Sequence, residues 1–341
     1  MRYYEVIFRD INQALQVDAS GNRFGPYTTR AGIGLQLEFD VNYTASDLID
    51  PATIVKMYGV PISILRQAVQ LVGGSVQIFA GFEAGLPLAN PMQQGEILNG
   101  RIVNAWSDWV GANQCLNVAI NPNVRPATES EVFSITVDAE AGEKLSDVIR
   151  RTLVDAFPEK QTQVSISDDL ILSEAWKGVY WRVSQFAAMI RSQSVNMLGI
   201  NVNYAGISVV VQGDRILVFD NSDVATTVAG AAKAIQPYEL LGQPSWIGFN
   251  KIAFKCPLRA DIQCGDLVSL PAQITSGAGG ILMRSTAFTY PPRTTSSFSG
   301  EFIVIGIRHV GRFLDANGTD SWSTIYTVIA PLASRKTDET N

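Results

Sequence analysis

The sequence predicts a mainly β protein of the α+β class, in which two β-barrel or sandwich domains are separated by an α+β segment. Short runs that alternate apolar and polar residues recur in the first and last thirds of the 341-residue chain, which is the period of half-buried strands. Glycine and proline turn signals separate these runs. Runs with helical spacing concentrate between residues 132 and 220. Many short strands with frequent turns favour barrels or sandwiches.

The first predicted β domain covers residues 1–121. Its strands carry alternating or continuous apolar runs, and most end at a glycine or another turn residue. One helix is predicted at 61–72, because Pro61 suits a helix start and Gly73-Gly74 suits a stop. The predicted strands are 34–41, 53–59, 75–81, 95–104 and 114–120.

The middle segment, residues 122–245, differs in character. Residues 122–131 contain two prolines among polar residues and are predicted to be a linker. A strand at 133–139, helices at 143–156 and 181–192, and a hairpin that turns at Gly213-Asp214 follow. The helical periodicity places these side chains on buried faces: Leu145, Val148, Ile149, Leu153, Val154, Val183, Phe186, Ala187 and Ile190.

The second predicted β domain covers residues 246–331, and residues 332–341 are predicted to be a disordered tail. Residues 271–300 carry a Ser/Thr run and Pro291-Pro292, and are predicted to be a long loop that becomes ordered only against a partner. The clearest strands are 251–256, 266–270, 302–310 and 323–330.

Composition excludes several classes of function. Hydrophobic residues make up 46% of the chain and charged residues 17%, so the chain can bury large cores and can hide surface against neighbouring subunits. The net charge of −6 without a basic cluster argues against tight nucleic-acid binding. The N-terminus carries Glu5, Arg9 and Asp10, which a signal peptide would not, and no apolar run reaches membrane-spanning length.

The residues that could ligate a metal or act as a nucleophile are few. Cys115, Cys256 and Cys264 form no CxxC pair, and the chain has one histidine, so neither a zinc site nor a cofactor is predicted. The three cysteines are predicted to be small buried hydrophobic residues. A Ser-His-Asp or Cys-His device would have to use His309, whereas a packed or interface histidine is the preferred interpretation.

The densest acidic group gives the best case for an enzyme. Asp168, Asp169 and Glu174 could supply the paired carboxylates of a glycosidase, with Trp176, Tyr180 and Trp181 lining a sugar cleft. The alternative is a solvated turn before a helix, where aspartates are favoured. We prefer the solvated turn, because active sites usually draw on separate loops.

Two glycine runs and a pair of tryptophans complete the candidates. Gly32-Ile33-Gly34 and residues 276–280 lack the lysine-serine pair of a phosphate-binding loop, and are interpreted as flexible turns. Trp106 and Trp109 flank Asp108 at a predicted turn. They could form a carbohydrate platform, although core packing or a subunit contact is preferred.

Several short motifs occur in one order along residues 30–330. They are the strand Leu37-Glu38-Phe39-Asp40-Val41, the strand 53–59, the run Ala80-Gly81-Phe82, the run Asn99-Gly100-Arg101-Ile102, and later Cys256-Pro257-Leu258, Gly265-Asp266-Leu267-Val268, Ile307-Arg308-His309-Val310-Gly311 and Trp322-Ser323-Thr324. In this order the sequence resembles the tail-hub proteins of contractile-tailed phages, with a tube-like barrel at each end.

The resemblance implies a structural subunit with no catalytic, cofactor-binding or metal-binding residues. It implies a homotrimer whose six tube-like barrels form a pseudo-sixfold ring. That ring would join the tail tube protein to the spike protein, contact other baseplate proteins, and let DNA pass without specific binding. The virion would be its location, after assembly in the host cytoplasm. The alternatives are a tail-associated cell-wall hydrolase and a glycan-binding baseplate module.

Overall fold

The computed structural model describes most of the chain with gaps, and all structural statements concern the described part. The described residues are 1–18, 21, 23–30, 32, 34–45, 53–85, 90–111, 113–121, 134–198, 204–248, 250–271, 300–315 and 321–332. The predicted linker 122–131, nearly all of the predicted loop 271–300 and nearly all of the predicted tail 332–341 lie outside these residues. Those three predictions therefore stay predictions.

Strands dominate the described residues. They are β1 (Arg2–Arg9), β2 (Tyr27–Thr28), β3 (Gln36–Thr44), β4 (Thr53–Tyr58), β5 (Ser75–Phe82), β6 (Gly95–Val110), β7 (Asn113–Asn121), β8 (Ile135–Ala139), β9 (Gln161–Ser165), β10 (Trp176–Tyr180), β11 (Ser208–Gln212), β12 (Arg215–Phe219), β13 (Lys233–Ala234), β14 (Ser245–Trp246), β15 (Lys251–Pro257), β16 (Leu267–Leu270), β17 (Gly300–Arg312) and β18 (Trp322–Ile329). The helices are α1 (Ile62–Leu65), α2 (Leu145–Ala156), α3 (Val183–Met197) and α4 (Asp223–Ala229), with 3₁₀ turns at Ala68–Leu71, Pro91–Gln93 and Pro237–Glu239.

Thirteen strands from both ends of the chain form one hydrogen-bonded sheet. Its main path runs β14-β15-β18-β17-β3-β4-β7-β6-β5-β1-β2, while β16 pairs with β17, and β13 pairs with β16. The two ends meet where residues 306–312 of β17 pair antiparallel with residues 38–44 of β3. The predicted mainly β, α+β class is confirmed. The predicted domain boundaries stay predictions.

Strand β17 holds the two halves of this sheet together. It pairs with β18 along most of one edge. On its other edge it pairs first with β16, over residues 300–303, and then with β3. A bulge between Val304 and Gly306 interrupts the ladder with β18. Bulges bend a strand locally, so this one lies where β17 passes from one neighbour to the next.

Side-chain contacts reinforce the junction. The Arg2 guanidinium donates hydrogen bonds to the carbonyl oxygens of Arg312 and Phe313, each at 2.8 Å. The buried Trp322 ring donates from Nε1 to the Gly81 carbonyl oxygen at 2.9 Å and packs edge-on against Phe39, with centroids 5.2 Å apart. Residues of both halves therefore share one hydrophobic core.

The middle segment has a second core, formed by helices α2 and α3, the β8–β10 pair and one face of the small sheet β11-β12-β9. The central residues of β11 and β12 are buried on both faces of this small sheet, and neighbouring residues along each strand point to opposite sides. Val209, Val211, Ile216 and Val218 enter the second core. Val210, Leu217 and Phe219 enter the first core. The small sheet therefore joins the two cores.

The structure corrects some predicted details. The helix predicted at 61–72 is two short pieces, α1 and a 3₁₀ turn, separated at Arg66 and Gln67. Helix α3 begins two residues later than predicted and extends to Met197. Val154, predicted to be buried, is 46% exposed. Strands β1, β9 and β10 are additions to the predicted set, and β9 carries one apolar residue in five, which gives it a weak strand pattern.

Candidate functional site

His309 is a core residue of β17. Its Nδ1 lies 2.9 Å from the Thr324 hydroxyl, which accepts a hydrogen bond from the Arg259 amide at 3.1 Å and donates to the Arg259 carbonyl oxygen. This network assigns the ring proton to Nδ1. Burial lowers the pKa of His309 to about 3, so the ring is neutral at physiological pH. Its contacts are those of a packed histidine.

Because His309 is buried and neutral, we expect the free energy of unfolding to fall as the pH drops from about 6.5 to about 5. The pKa of histidine in the unfolded chain is near its ordinary value of 6.5 and that of folded His309 is about 3, so the unfolded chain gains the proton first. The slope is about 1.4 kcal/mol per pH unit. Urea unfolding across this range measures it, and His309→Asn should remove most of it because the chain has one histidine.

The ring proton of His309 gives an independent check. Its NMR shift should stay constant down to about pH 4. A titration midpoint near pH 6.5 would contradict a buried, neutral His309. The same conclusion would follow if the free energy of unfolding of His309→Asn kept the wild-type dependence on pH.

The three cysteines are buried, as predicted, and none of them forms a disulfide. Burial raises the pKa of the Cys256 thiol to about 12, and burial also raises the pKa values of Cys115 and Cys264. All three are therefore protonated thiols, which are poor nucleophiles.

The three residues of the acidic group are exposed, as the preferred interpretation of a solvated turn predicts. Asp168 lies on the surface, where its carboxylate pairs with Lys144 at 3.1 Å. Asp169 and Glu174 are also exposed. Trp176 is buried and stacks on Phe186 with ring centroids 6.1 Å apart. The aromatic rings proposed for a sugar cleft therefore belong mainly to the second core.

Tyr180 and Trp181 follow Trp176 in the chain and differ in environment. The hydroxyl of Tyr180 accepts a hydrogen bond from Trp176 Nε1 at 3.0 Å, and its ring packs on Phe186. Trp181 is 59% exposed. Of the three aromatic residues, Trp181 alone presents most of its ring to solvent.

The glycine runs differ in what the structure describes. Gly32 has a φ of +69°, which suits a turn. At Gly34 a Cβ would lie 3.3 Å from both Thr29 Cγ2 and the Tyr4 hydroxyl, so close packing favours glycine there. Residues 276–280 lie outside the described part of the chain.

Trp106 and Trp109 do not lie at a turn but in strand β6, which corrects the prediction. They are three residues apart with no bulge between them, so their side chains point to opposite faces of the sheet. Asp108 accepts a hydrogen bond from Asn117 Nδ2 at 2.7 Å. The two rings therefore cannot form one flat carbohydrate platform.

The second half of β6 presents an open edge, which we call the β6 edge (residues 103–110). Strand β5 pairs only with residues 95–101, whereas β7 pairs along the whole remainder of β6. Within the described residues, no strand covers the opposite side of residues 103–110. Two apolar residues are exposed to solvent here: Val103 is 41% exposed and Trp109 is 67% exposed. An open edge with unpaired N–H and C=O groups is a template for another strand.

Comparisons with known proteins bear on this architecture. No family model matches the sequence, and no curated protein matches it. Among solved structures, the 43 kDa tail protein of prophage MuSo2 from Shewanella oneidensis aligns with a TM-score of 0.50 and 7% identity, over 97% of each chain.

The chain has a tail-protein fold.

Two further structures are similar at lower scores. A tail protein from Neisseria meningitidis MC58 has a TM-score of 0.46 and 8% identity, over 96% of each chain. An Escherichia coli protein described as a component of the type VI secretion system has a TM-score of 0.47 and 8% identity, covering 88% of this chain and 74% of its own. The alignment with the MuSo2 tail protein confirms the predicted likeness to phage tail proteins for the fold.

Within the described residues of this tail-protein fold, no three His, Cys, Asp or Glu side chains are grouped to hold a metal ion. No described helix combines the length and the apolar composition needed to cross a membrane. The β6 edge is the feature of the described residues best suited to pair with another chain, because it is an open strand edge with an exposed tryptophan.

Proposed function

We propose that the chain is a structural hub subunit of a phage tail baseplate. Three copies would form a ring that joins the tail tube to the central spike. Each subunit supplies two arcs of sheet, strands β1–β7 and β13–β18, which are linked where β3 pairs with β17. Two arcs in each of three copies give a pseudo-sixfold ring, which suits a sixfold tube on one side and a threefold spike on the other.

The observation that carries this proposal is the β6 edge. A strand edge of eight residues, with Trp109 exposed near its end, would promote aggregation of an isolated subunit, because its backbone groups can pair with any other strand. Pairing with a strand of the neighbouring copy satisfies its backbone groups and covers the tryptophan. Tryptophan is also enriched at the energetic centres of interfaces.

The charge of the chain supports passage of DNA through such a ring. With a net charge of −6, a lumen formed by three copies would have little affinity for phosphate. The hub would therefore surround DNA without binding it. In this proposal the chain acts in the virion tail, beside tube, spike and other baseplate proteins, and performs no catalysis.

Trp109→Lys tests the assembly. We expect the full-length chain, mixed with its tube and spike proteins, to give a species of three copies by native mass spectrometry. Trp109→Lys should lower the trimer fraction at least tenfold, since buried interface tryptophans commonly contribute about 2 kcal/mol or more. Trp181→Lys is the matched control, because Trp181 is similarly exposed but lies next to the second core.

Either of two results would count against the hub. One is a chain that stays monomeric at high concentration and does not change when tube and spike proteins are added. The other is an equal loss of trimer in both tryptophan variants, which would show that the β6 edge is not the contact. Negative-stain images of the trimer should show a closed ring with a central opening.

A further inference from the structure

A small cleft lies at the junction of the two cores, on the face of strands β9 and β12 that looks toward the first core. Helix α4 and the turn at residues 263–266 form its other walls. Its volume is about 210 Å³. We call it the β9 cleft, and its lining combines an apolar wall with polar groups. The apolar wall is formed by Leu217, Phe219, Ala225, Val228 and Ala229.

Strand β9 is an edge strand beside this cleft. It pairs in parallel with β12, and within the described residues its other edge has no strand partner. Helix α2 packs against β9 within the second core, on the opposite face. A strand added to β9 would place every second side chain on the same face as Gln163 and Ser165, both of which line the cleft. An added strand can therefore insert a side chain into the cleft.

Ser165 is an independent sign that the cleft is incomplete. The residue is 5% exposed, yet its Oγ has no hydrogen-bond partner among the described residues. A buried hydroxyl without a partner is destabilising.

Arg215 sets the charge of the ligand. It lies level with Gln161, at the other end of β9 from Ser165, and its side chain is about half-exposed. Its guanidinium contacts Gln263 Oε1 at 3.2 Å, and Asp214 only loosely, at 3.9 Å.

The carboxylate of Asp266, which also lines the cleft, is already bound. It accepts hydrogen bonds from Lys233 at 2.6 Å and from the Gln263 amide at 2.7 Å. Arg215 is then the charged residue of the lining that can attract a ligand, and its positive charge favours a carboxylate on that ligand.

We propose that the β9 cleft binds an extended peptide segment of another protein by strand addition to β9. One apolar side chain of the segment enters the cleft near Ser165, and an acidic residue two or four positions along the same face pairs with Arg215. Main-chain pairing gives the affinity and the cleft gives the specificity. The site is separate from the β6 edge and does not depend on formation of a ring.

A charge-swap titration tests the proposal. The probe is a fluorescein-labelled eight-residue peptide that alternates threonine with valine, leucine and aspartate, and a second peptide has lysine in place of aspartate. The full-length chain should bind the aspartate peptide about fivefold more tightly than the lysine peptide, as expected for a partly exposed ion pair. Arg215→Glu should reverse that preference. Arg150→Glu on α2 is the matched control, because Arg150 is also half-exposed.

Two further measurements locate the peptide. Hydrogen exchange at the amides of residues 161–165 should slow when the peptide binds, and N-methylation of alternate peptide residues should abolish binding. Val228→Lys, at the exposed mouth of the cleft, should weaken binding without changing the melting temperature.

Three results would overturn the proposal. They are no binding of either peptide at millimolar concentration, binding that leaves residues 161–165 unprotected, and a preference for aspartate that persists in Arg215→Glu. A trimer that persists in Trp109→Lys, with peptide binding intact, would overturn the β6 contact alone.

Discussion

Replacing Gly311 by alanine is expected to lower the free energy of unfolding by about 3 kcal/mol, the upper range for overpacking a core. Gly311 lies in β17 directly opposite Phe39 of β3, and the Phe39 ring folds across it. A Cβ at Gly311 would overlap the Phe39 ring, whose nearest atoms would lie 2.2 to 2.7 Å away. The ring cannot move aside cheaply, because it is buried and packed against Trp322.

Gly306→Ala is the matched control for this effect. Gly306 is also buried in β17 and also pairs with β3, but a Cβ there would meet its nearest neighbours at 3.5 and 3.6 Å, which is ordinary contact. Its substitution should cost less than about 1 kcal/mol. Urea unfolding at one protein concentration, followed by tryptophan fluorescence, compares the two variants. Equal losses would show that packing of Phe39 over Gly311 is not the cause.

Arg259→Ala is expected to be similarly costly, at about 3 kcal/mol. The Arg259 side chain is 6% exposed and forms a two-pronged pair with Asp261, with both N–O distances at 2.7 Å. A third nitrogen lies 3.2 Å from Glu239. Removing the guanidinium leaves two partly buried carboxylates without their cation, which costs far more than the net value of the pair.

The chain contains a matched exposed pair for comparison. Arg308 and Asp40 form the same two-pronged geometry, at 2.8 and 2.6 Å, but each side chain is about half-exposed. Arg308→Ala should cost about 1 kcal/mol or less, and that cost should shrink further in high salt. Urea unfolding at low and high salt separates the two variants. If Arg259→Ala were as mild as Arg308→Ala, the buried network would not support the fold.

The Arg259 network also connects the two halves of the large sheet. Glu239 Oε1 accepts a hydrogen bond from Gln93 Nε2 at 2.6 Å, and the Ala260 amide donates to the Gln93 carbonyl oxygen at 2.8 Å. Gln93 belongs to the first half, whereas Glu239 and Ala260 belong to the second. Loss of Arg259 should therefore loosen the junction as well as the local turn.

Local patterns predicted most strands and the two long helices, because alternation and helical spacing depend on neighbouring residues alone. They could not predict that β17 pairs with β3, since these strands lie more than 250 positions apart in the chain. The helix predicted at 61–72 has the right apolar spacing but includes β-branched Ile62, Val69 and Val72, which favour helices weakly. It forms two short turns instead.

The candidate site was harder to predict than the fold. The sequence predicts a turn where Trp106 and Trp109 flank Asp108, but the β6–β7 ladder continues through these residues. An open edge depends on which strands pair, and the sequence does not state this. Arg215 and Ser165 carry no motif, and only the fold brings them to one cleft.

The small sheet β11-β12-β9, which gives alternate residues to each core, also holds the helical segment in a fixed position against the large sheet. A hinge motion between the helical segment and the large sheet would have to pull the side chains of β11 and β12 out of both hydrophobic cores at once. Tension or torque applied at the helices is therefore delivered to the strands as rigid displacement rather than absorbed as bending.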